Sequence, residues 1–138
     1  MHYVNAILYL LSHKLLYRFC LTGFVATNVT TNIAIPTQSD VVPVMSVFGW
    51  IIIHQHLGFT FDWNKRWGHY KAGFGSIDAN FWLGLEKVHR LTNCQLYRLR
   101  VEVQQRSTNL WYSAEYWSFK IGDELNDKYR LEVFRRYD

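Results

Sequence analysis

The sequence predicts an α+β fold built from a mainly antiparallel sheet, one amphipathic aromatic helix and short helical turns. From Tyr97 to Gln104, apolar and polar residues alternate strictly, which is typical of a strand with one buried and one wet face. Between Trp63 and Phe74, aromatic residues recur at the spacing of a helix face. Glycines and polar turn clusters separate such segments, so the chain is expected to form short elements around one core.

Residues 1–45 are predicted to form a divergent N-terminal segment, a weak secretory signal or a linker. The largely apolar runs Val4–Leu11 and Leu15–Val25 are separated by polar residues, so no uninterrupted stretch is long enough to span a membrane. Apolar character is the only property of a secretory signal that this segment has. Thr30–Asp40 is rich in polar and small residues and is predicted to be a linker. Asn28 begins the only N-glycosylation sequon, which matters only if the chain enters the secretory pathway.

The middle of the chain predicts a strand, a helix and a tight joint. Gly49–His56 is rich in strand-forming residues. Asp62–Ala72 is predicted to be helical, with Asp62 as the N-cap. Gly73 and Gly75 follow, where a left-handed helix end and a turn are expected.

The second half predicts a short strand, a helical turn and an antiparallel meander. Phe81–Leu85 is too short for a helix and suits an interior strand, and Glu86–Thr92 suggests a helical turn. The alternating strand from Tyr97 ends at a turn over Gln105–Asn109. The next strand is predicted over Leu110–Phe119, followed by a turn at residues 123–128 and a strand at residues 129–133.

Charge and composition exclude several classes of protein. The 138 residues suffice for one domain, and the formal net charge is +4. Thirteen of the fifteen Lys and Arg residues follow Phe61, but so do ten of the eleven acidic residues. The charges therefore mix rather than form a basic surface, and a nucleic-acid partner is not expected.

Four groups of residues suggest chemistry, and each has a plainer alternative. His54 and His56 share a strand face and could ligate zinc, but no third ligand stands at a recognisable spacing, so solvated strand residues are favoured. His89 and Cys94 could form a nucleophile pair of a small cysteine hydrolase, yet no orienting third group is evident. The third group is an oxygen-rich loop, which lacks the EF-hand spacing for calcium and consists of Asp123, Glu124, Asn126 and Asp127. The fourth is the pair Cys20 and Cys94, which defines no disulfide framework.

Several of these motifs, taken in order, resemble the fibrinogen C-terminal (fibrinogen-related) domain. The resemblance begins at Gly49-Trp50, continues through Asp62-Trp63-Asn64 and is most specific at Gly73-Phe74-Gly75 and Phe81-Trp82-Leu83-Gly84-Leu85-Glu86. Later motifs follow in family order as far as Val133: His89-Arg90-Leu91-Thr92, Tyr97-Arg98-Leu99-Arg100-Val101, Ala114-Glu115-Tyr116, Ser118-Phe119-Lys120-Ile121-Gly122-Asp123 and Lys128-Tyr129-Arg130-Leu131-Glu132-Val133. Several spaced motifs in order outweigh any single one. The resemblance implies a partial domain of this family over residues 46–138.

The resemblance also implies a function. Members of this family, such as tenascins, ficolins and angiopoietins, are secreted recognition or adhesion modules and not enzymes, so an extracellular location and protein or glycan ligands are expected. The family's calcium site and ligand pocket would lie beyond residue 138, so no cofactor, metal or catalytic residue is assigned in this sequence. The alternative is a scaffold without its own ligand site, which associates with like or other fibrinogen-like chains. Unpaired strand edges and exposed aromatic surface are expected in either case, together with a marginal fold.

Overall fold

The computed structural model describes residues 3–12, 29–34, 41–47, 50–58, 61–76 and 78–134. Within these ranges nine strands form one sheet, and three helices lie beside it. The strands are β1 (Tyr3–Ser12), β2 (Val29–Ala34), β3 (Val41–Val47), β4 (Trp50–Leu57), β5 (Phe74–Gly75), β6 (Phe81–Trp82), β7 (Tyr97–Gln105), β8 (Trp111–Ile121) and β9 (Leu131–Phe134). The helices are α1 (Trp67–Ala72), α2 (Leu85–Cys94) and α3 (Glu124–Asp127). The predicted α+β class with a mainly antiparallel sheet is confirmed.

The sheet runs in the order β2-β3-β4-β1-β7-β8-β9, with β6 paired to β4 and β5 paired to β6. All these pairings are antiparallel. Strand β1 lies between β4 and β7, with Leu10 opposite Ile51 on one side and Leu99 on the other. The alternating strand predicted from Tyr97 is β7, and its hairpin with β8 and the return through β9 form the predicted meander.

The core lies where α2 packs on the sheet. Val88 and Leu91 of α2 are each 1% exposed and join the buried face of Tyr97 and Leu99. The predicted helical turn is thus a full helix of ten residues, because its apolar positions fall at spacings of three and form one buried face. Thr92 is also buried, and its hydroxyl donates to the Val88 carbonyl and accepts from the Ile121 amide.

Two predicted elements are shorter than expected. The helix predicted to start at Asp62 begins at Trp67, with Arg66 as its N-cap. Asp62 instead accepts a hydrogen bond from the Asn64 amide at 2.9 Å, a local bond that competes with helix formation. The strand predicted over Phe81–Leu85 ends at Trp82, because Gly84 has a positive φ of 106° and caps α2.

The N-terminal part differs most from expectation. Strand β1 comes from the segment predicted to be a signal or linker, and β2 occupies the first part of the predicted linker Thr30–Asp40. The linker prediction is therefore wrong for that part. The domain boundary after residue 45 stays a prediction. None of the helices in the described ranges has both the length and the apolar character needed to cross a bilayer.

Candidate functional site

The glycine joint brings the end of α1 against the start of α2. A Cβ atom on Gly84 would lie 2.6 Å from both the Ala72 carbonyl carbon and the Gly73 nitrogen. A Cβ atom on Gly73 would lie 2.3 Å from the Leu83 carbonyl oxygen. Because both neighbours are backbone atoms, only glycine permits this approach. The joint was predicted from the two glycines after the helix, and the structure identifies the backbone that approaches Gly84 as the end of α1.

An open cleft of about 250 Å³ lies over this joint. Phe74, Trp82 and Lys87 are among the residues that line it. The Lys87 ammonium donates to the Ala72 carbonyl at 2.5 Å and to the Leu83 carbonyl at 3.3 Å. Both carbonyls belong to the joint, so these hydrogen bonds from the Lys87 ammonium stabilise it.

Both histidines of the zinc hypothesis contact an aromatic cluster. The Trp63 ring lies 4.8 Å from the His54 ring and 5.4 Å from the His56 ring, measured between centroids. Burial, with a smaller contribution from the neighbouring His56, lowers the pKa of His54 to about 4. The described residues contain no group of three or more His, Cys, Asp or Glu side chains placed to hold a metal ion. In this structure His54 and His56 pack against Trp63.

His89 and Cys94 do not form a nucleophile and base. The His89 Nδ1 atom lies 3.0 Å from the Ile121 carbonyl oxygen and 2.7 Å from the Asn93 side-chain nitrogen. Cys94 lies at the exposed end of α2. The His89 imidazole therefore links α2 to the end of β8, and the groups beside its Nδ1 atom are a backbone carbonyl and an amide side chain. Asn28 and Cys20 lie outside the described residues, so the glycosylation of Asn28 and the absence of a disulfide framework stay predictions.

The oxygen-rich loop after β8 forms α3 and attaches it to the other helices. Asp123 caps α3 by accepting from the Asn126 amide at 2.6 Å. Glu124 pairs with Lys71 of α1, and the Tyr129 hydroxyl donates to the Glu86 carboxylate of α2 at 2.6 Å. Burial, the hydrogen bond to Glu86 and nearby carboxylates raise the pKa of Tyr129. The side chains of Asp123 and Glu124 thus hold α3 in place.

The second face of the sheet carries arginines between indole rings. The Arg98 guanidinium lies 4.7 Å from the Trp117 ring centroid and 5.9 Å from that of Trp50. Arg100 contacts Glu115 at 2.9 Å and also lies over Trp50, at 6.0 Å. Such cation–π contacts contribute about 0.5–1 kcal/mol each at exposed sites. The alternation places Arg98 and Arg100 on the wet face of β7, but no local pattern indicated their contacts with the indole rings.

Strand β8 carries the main exposed aromatic surface, which we call the β8 aromatic edge and define as Trp111–Trp117. Trp111 is 48% exposed and Tyr112 is 49% exposed, although large aromatic side chains are usually mostly buried. Two adjacent aromatic residues place rings on both faces of a strand. This pattern was the signal in the sequence for an exposed ring, and it occurs at Trp111-Tyr112 and Tyr116-Trp117. The exposure agrees with the expectation of open aromatic surface.

The described residues thus combine a single antiparallel sheet, helices beside it and an exposed aromatic edge. A family model described as "Fibrinogen beta and gamma chains, C-terminal globular domain" matches residues 42–137. The chain belongs to this family. Its fold is also that of solved relatives. The fibrinogen-like globe domain of human ANGPTL2 superposes with a TM-score of 0.72 and 30% identity, over 79% of this chain and 52% of that one.

Sequence relatives point the same way. Angiopoietin-related protein 7 of Homo sapiens is 48% identical over 83 residues, which are 60% of this chain and 23% of that protein. Angiopoietin-related protein 2 of Mus musculus is 32% identical over 127 residues, 86% of this chain and 25% of that protein. Fibrinogen-like protein A of Apostichopus parvimensis is 35% identical over 79 residues, 57% of this chain and 28% of that protein. The chain thus spans about a quarter of the length of these relatives and about half of the solved globe domain.

Proposed function

We propose that this chain acts as a non-enzymatic, extracellular recognition or adhesion module that binds protein or glycan ligands. The observation that carries the proposal is the match to the fibrinogen family over residues 42–137 together with the shared fold. The family is generally non-enzymatic. The chemistry of the described residues supports the same conclusion, because the side chains that could have served catalysis hold elements together: His89 contacts Ile121, and Glu86 contacts Tyr129.

Secretion is the first part of the test. The full chain is expressed in a secretory cell line, and the medium is examined for the protein and for a mobility shift on treatment with an N-glycosidase. We expect secreted protein whose shift disappears in the Asn28→Gln variant, because Asn28-Val29-Thr30 is the only sequon. Protein that stays inside the cells would contradict the extracellular part of the proposal.

Ligand binding is the second part. The purified chain is applied to immobilised acetylated glycans and extracellular-matrix proteins, with and without calcium. Saturable binding to either class of ligand supports the recognition role, and the calcium-free arm shows whether that binding needs the ion. Absence of saturable binding to any of these ligands, by a chain that unfolds cooperatively, would contradict it. The cooperative transition is the control that the protein is folded.

The β8 aromatic edge favours a second candidate, a scaffold that associates with fibrinogen-like chains and has no ligand site of its own. Exposed strands with aromatic side chains readily pair with another chain. A pull-down of full-length fibrinogen-like relatives by the immobilised chain distinguishes this role from glycan recognition. Capture of such chains without any glycan binding would support the scaffold. The reverse result would support the recognition module.

A further inference from the structure

We infer that an apolar surface of the β7–β8 hairpin docks against the part of a fibrinogen-like globe domain that this chain does not match, when another chain supplies that part. The surface, which we call the distal inner face, consists of Val101, Val103, Leu110 and Tyr112. This docking rests on the second candidate function, association with fibrinogen-like chains. It adds to that function the surface and the part of the partner that meet.

The distal inner face continues the face of the sheet that carries the core. Leu99 is 6% exposed, and Val101, the next residue but one, packs against the same core. Val103 follows at the same spacing and lies opposite Tyr112 of β8. Alternate residues of a strand lie on one face, and residues directly opposite each other share that face. Val101, Val103 and Tyr112 therefore belong to the face that is buried at Leu99.

The two largest side chains of the distal inner face are exposed. Tyr112 is 49% exposed. Leu110 is 57% exposed, and its spacing of two from Tyr112 places it on the same face. The Leu110 carbonyl accepts from the Gln105 amide at 2.9 Å, which extends the ladder as far as this residue. Two large apolar side chains next to each other in water gain free energy when another surface covers them.

The helix that covers this face packs on the other end of the hairpin. Thr92 of α2 accepts from the amide of Ile121, the last residue of β8. Val88 of α2 belongs to the same core cluster as Tyr97, the first residue of β7. The ten residues of α2 extend about 15 Å, whereas the eleven residues of β8 extend about 36 Å. The helix is therefore too short to follow the hairpin to its distal end.

The solved relatives point to the partner. The ANGPTL2 globe domain has the fold of this chain, but the match covers 52% of that domain. Its remaining part has to share a core with the matched part, because a domain is built from layers packed around one hydrophobic core. An exposed end of the core face is the kind of surface that such a part covers. A second copy of this chain would bring the same part of the fold again and not its complement.

The test compares lysine substitutions on the two faces of one strand. Tyr112→Lys places an ammonium group on the distal inner face, and Leu110→Lys does so at the neighbouring position of that face. Trp111→Lys is the matched control, because Trp111 is 48% exposed and lies on the opposite face, across from Gln104. An ammonium group buried in an apolar interface without a partner opposes docking, whereas the same group on the other face stays in water.

The probe is the part of the human ANGPTL2 globe domain that this chain does not match, made as a separate polypeptide. The full chain and the probe are refolded together from urea, and sedimentation velocity measures their one-to-one complex from about 1 to about 100 µM. Wild type and Trp111→Lys are expected to form the complex. Tyr112→Lys and Leu110→Lys are expected to bind at least about tenfold more weakly. Thermal unfolding of each chain without the probe confirms that it is folded.

Three results would overturn the inference. The first is a wild type that forms no complex, or a complex of equal strength with Tyr112→Lys, Leu110→Lys and Trp111→Lys. The second is a dimer of the chain alone that Tyr112→Lys dissociates, because it would assign the distal inner face to a second copy. The third is capture of full-length fibrinogen-like relatives by wild type and Tyr112→Lys alike, which would leave the second candidate function standing and remove only the assigned surface.

Discussion

A three-member glycine series separates the two contributions made by the glycine joint. Gly84→Ala introduces a methyl group at a residue with a φ of 106°, against backbone atoms 2.6 Å away. Gly58→Ala introduces the same group at a φ of 110°, with no atom within 4 Å. Gly68→Ala lies in α1, has an ordinary φ and also meets nothing within 4 Å. The first variant combines conformational strain and collision, the second has strain alone, and the third has neither.

The expected changes in the free energy of unfolding follow from these geometries. A non-glycine residue held at such a φ costs about 1–3 kcal/mol, which is the whole loss expected for Gly58→Ala. Overpacking adds about 1–3 kcal/mol, because the end of α1 leads directly into β5, which is paired with β6. Gly84→Ala should therefore lose about 2–6 kcal/mol in total. Gly68→Ala should gain about 0.5–1 kcal/mol, because alanine is the better helix former.

Urea unfolding followed by tryptophan fluorescence measures all three values with one protein preparation each. Gly84→Ala is expected to have a much lower midpoint than Gly58→Ala at a similar slope. Equal losses for these two variants would show that the backbone approach contributes nothing, and the account of the joint would fail. A destabilised Gly68→Ala would show that α1 is not held as a helix at that position.

Two further outcomes test the packing around the sheet. Burial and His56 lower the pKa of His54 to about 4, so the unfolded chain, in which this pKa is about 6.5, binds the proton more readily than the folded chain. The stability due to neutral His54 is therefore present above about pH 6.5 and is lost as the pH falls to about 4. After allowance for solvent screening of this partly exposed group, the loss is about 2 kcal/mol or less, and it should disappear in His54→Gln; an unchanged pH profile in that variant would contradict the assignment. Thr92→Val keeps the shape of the side chain but leaves the buried Ile121 amide without its acceptor, so the free energy of unfolding should fall by about 1–3 kcal/mol. A Thr92→Val protein as stable as the wild type by urea unfolding would show that this bond is dispensable.

The sequence predicted the second half of the fold well, because its patterns are local. Strict alternation in β7 states which face is buried without reference to any other strand. The apolar spacing in α2 and the glycines around Phe74 are equally local signals. Residues 97–134 and the family resemblance could therefore be assigned from periodicity and motif order. The positions of the core residues followed from them.

The remaining features depend on contacts between distant parts of the chain. Strand β1 lies inside the sheet between two strands, and a strand of this kind has a nearly continuous apolar sequence that cannot be told from a signal segment by periodicity. The start of α1 is set by Asp62, whose carboxylate accepts from the Asn64 amide rather than capping a longer helix. The indoles around Arg98 come from β4 and β8, which no local pattern connects.

Exposed aromatic surface was expected from the sequence, but its position on β8 was not. The density of aromatic residues between Leu110 and Phe119 indicated a strand, but it did not indicate which of its rings would be exposed. The structure leaves Trp111 and Tyr112 about half exposed, and within the described residues β9 pairs with the last four residues of β8. The sequence of β8 alone does not indicate where that pairing stops.

The central position of β1 has a consequence for biosynthesis. Tyr3 is opposite Gln105 in the sheet, so the two ends of this pairing are 102 residues apart in the chain. At roughly 5–20 residues per second, a ribosome needs roughly 5–20 s to make the partner strand after β1 has been made. During that interval the apolar β1 segment stays unpaired in the nascent chain. Long-range pairing of this kind also slows folding itself. The speed of translation, and the chaperones that bind exposed apolar segments, therefore bear directly on the yield of native protein.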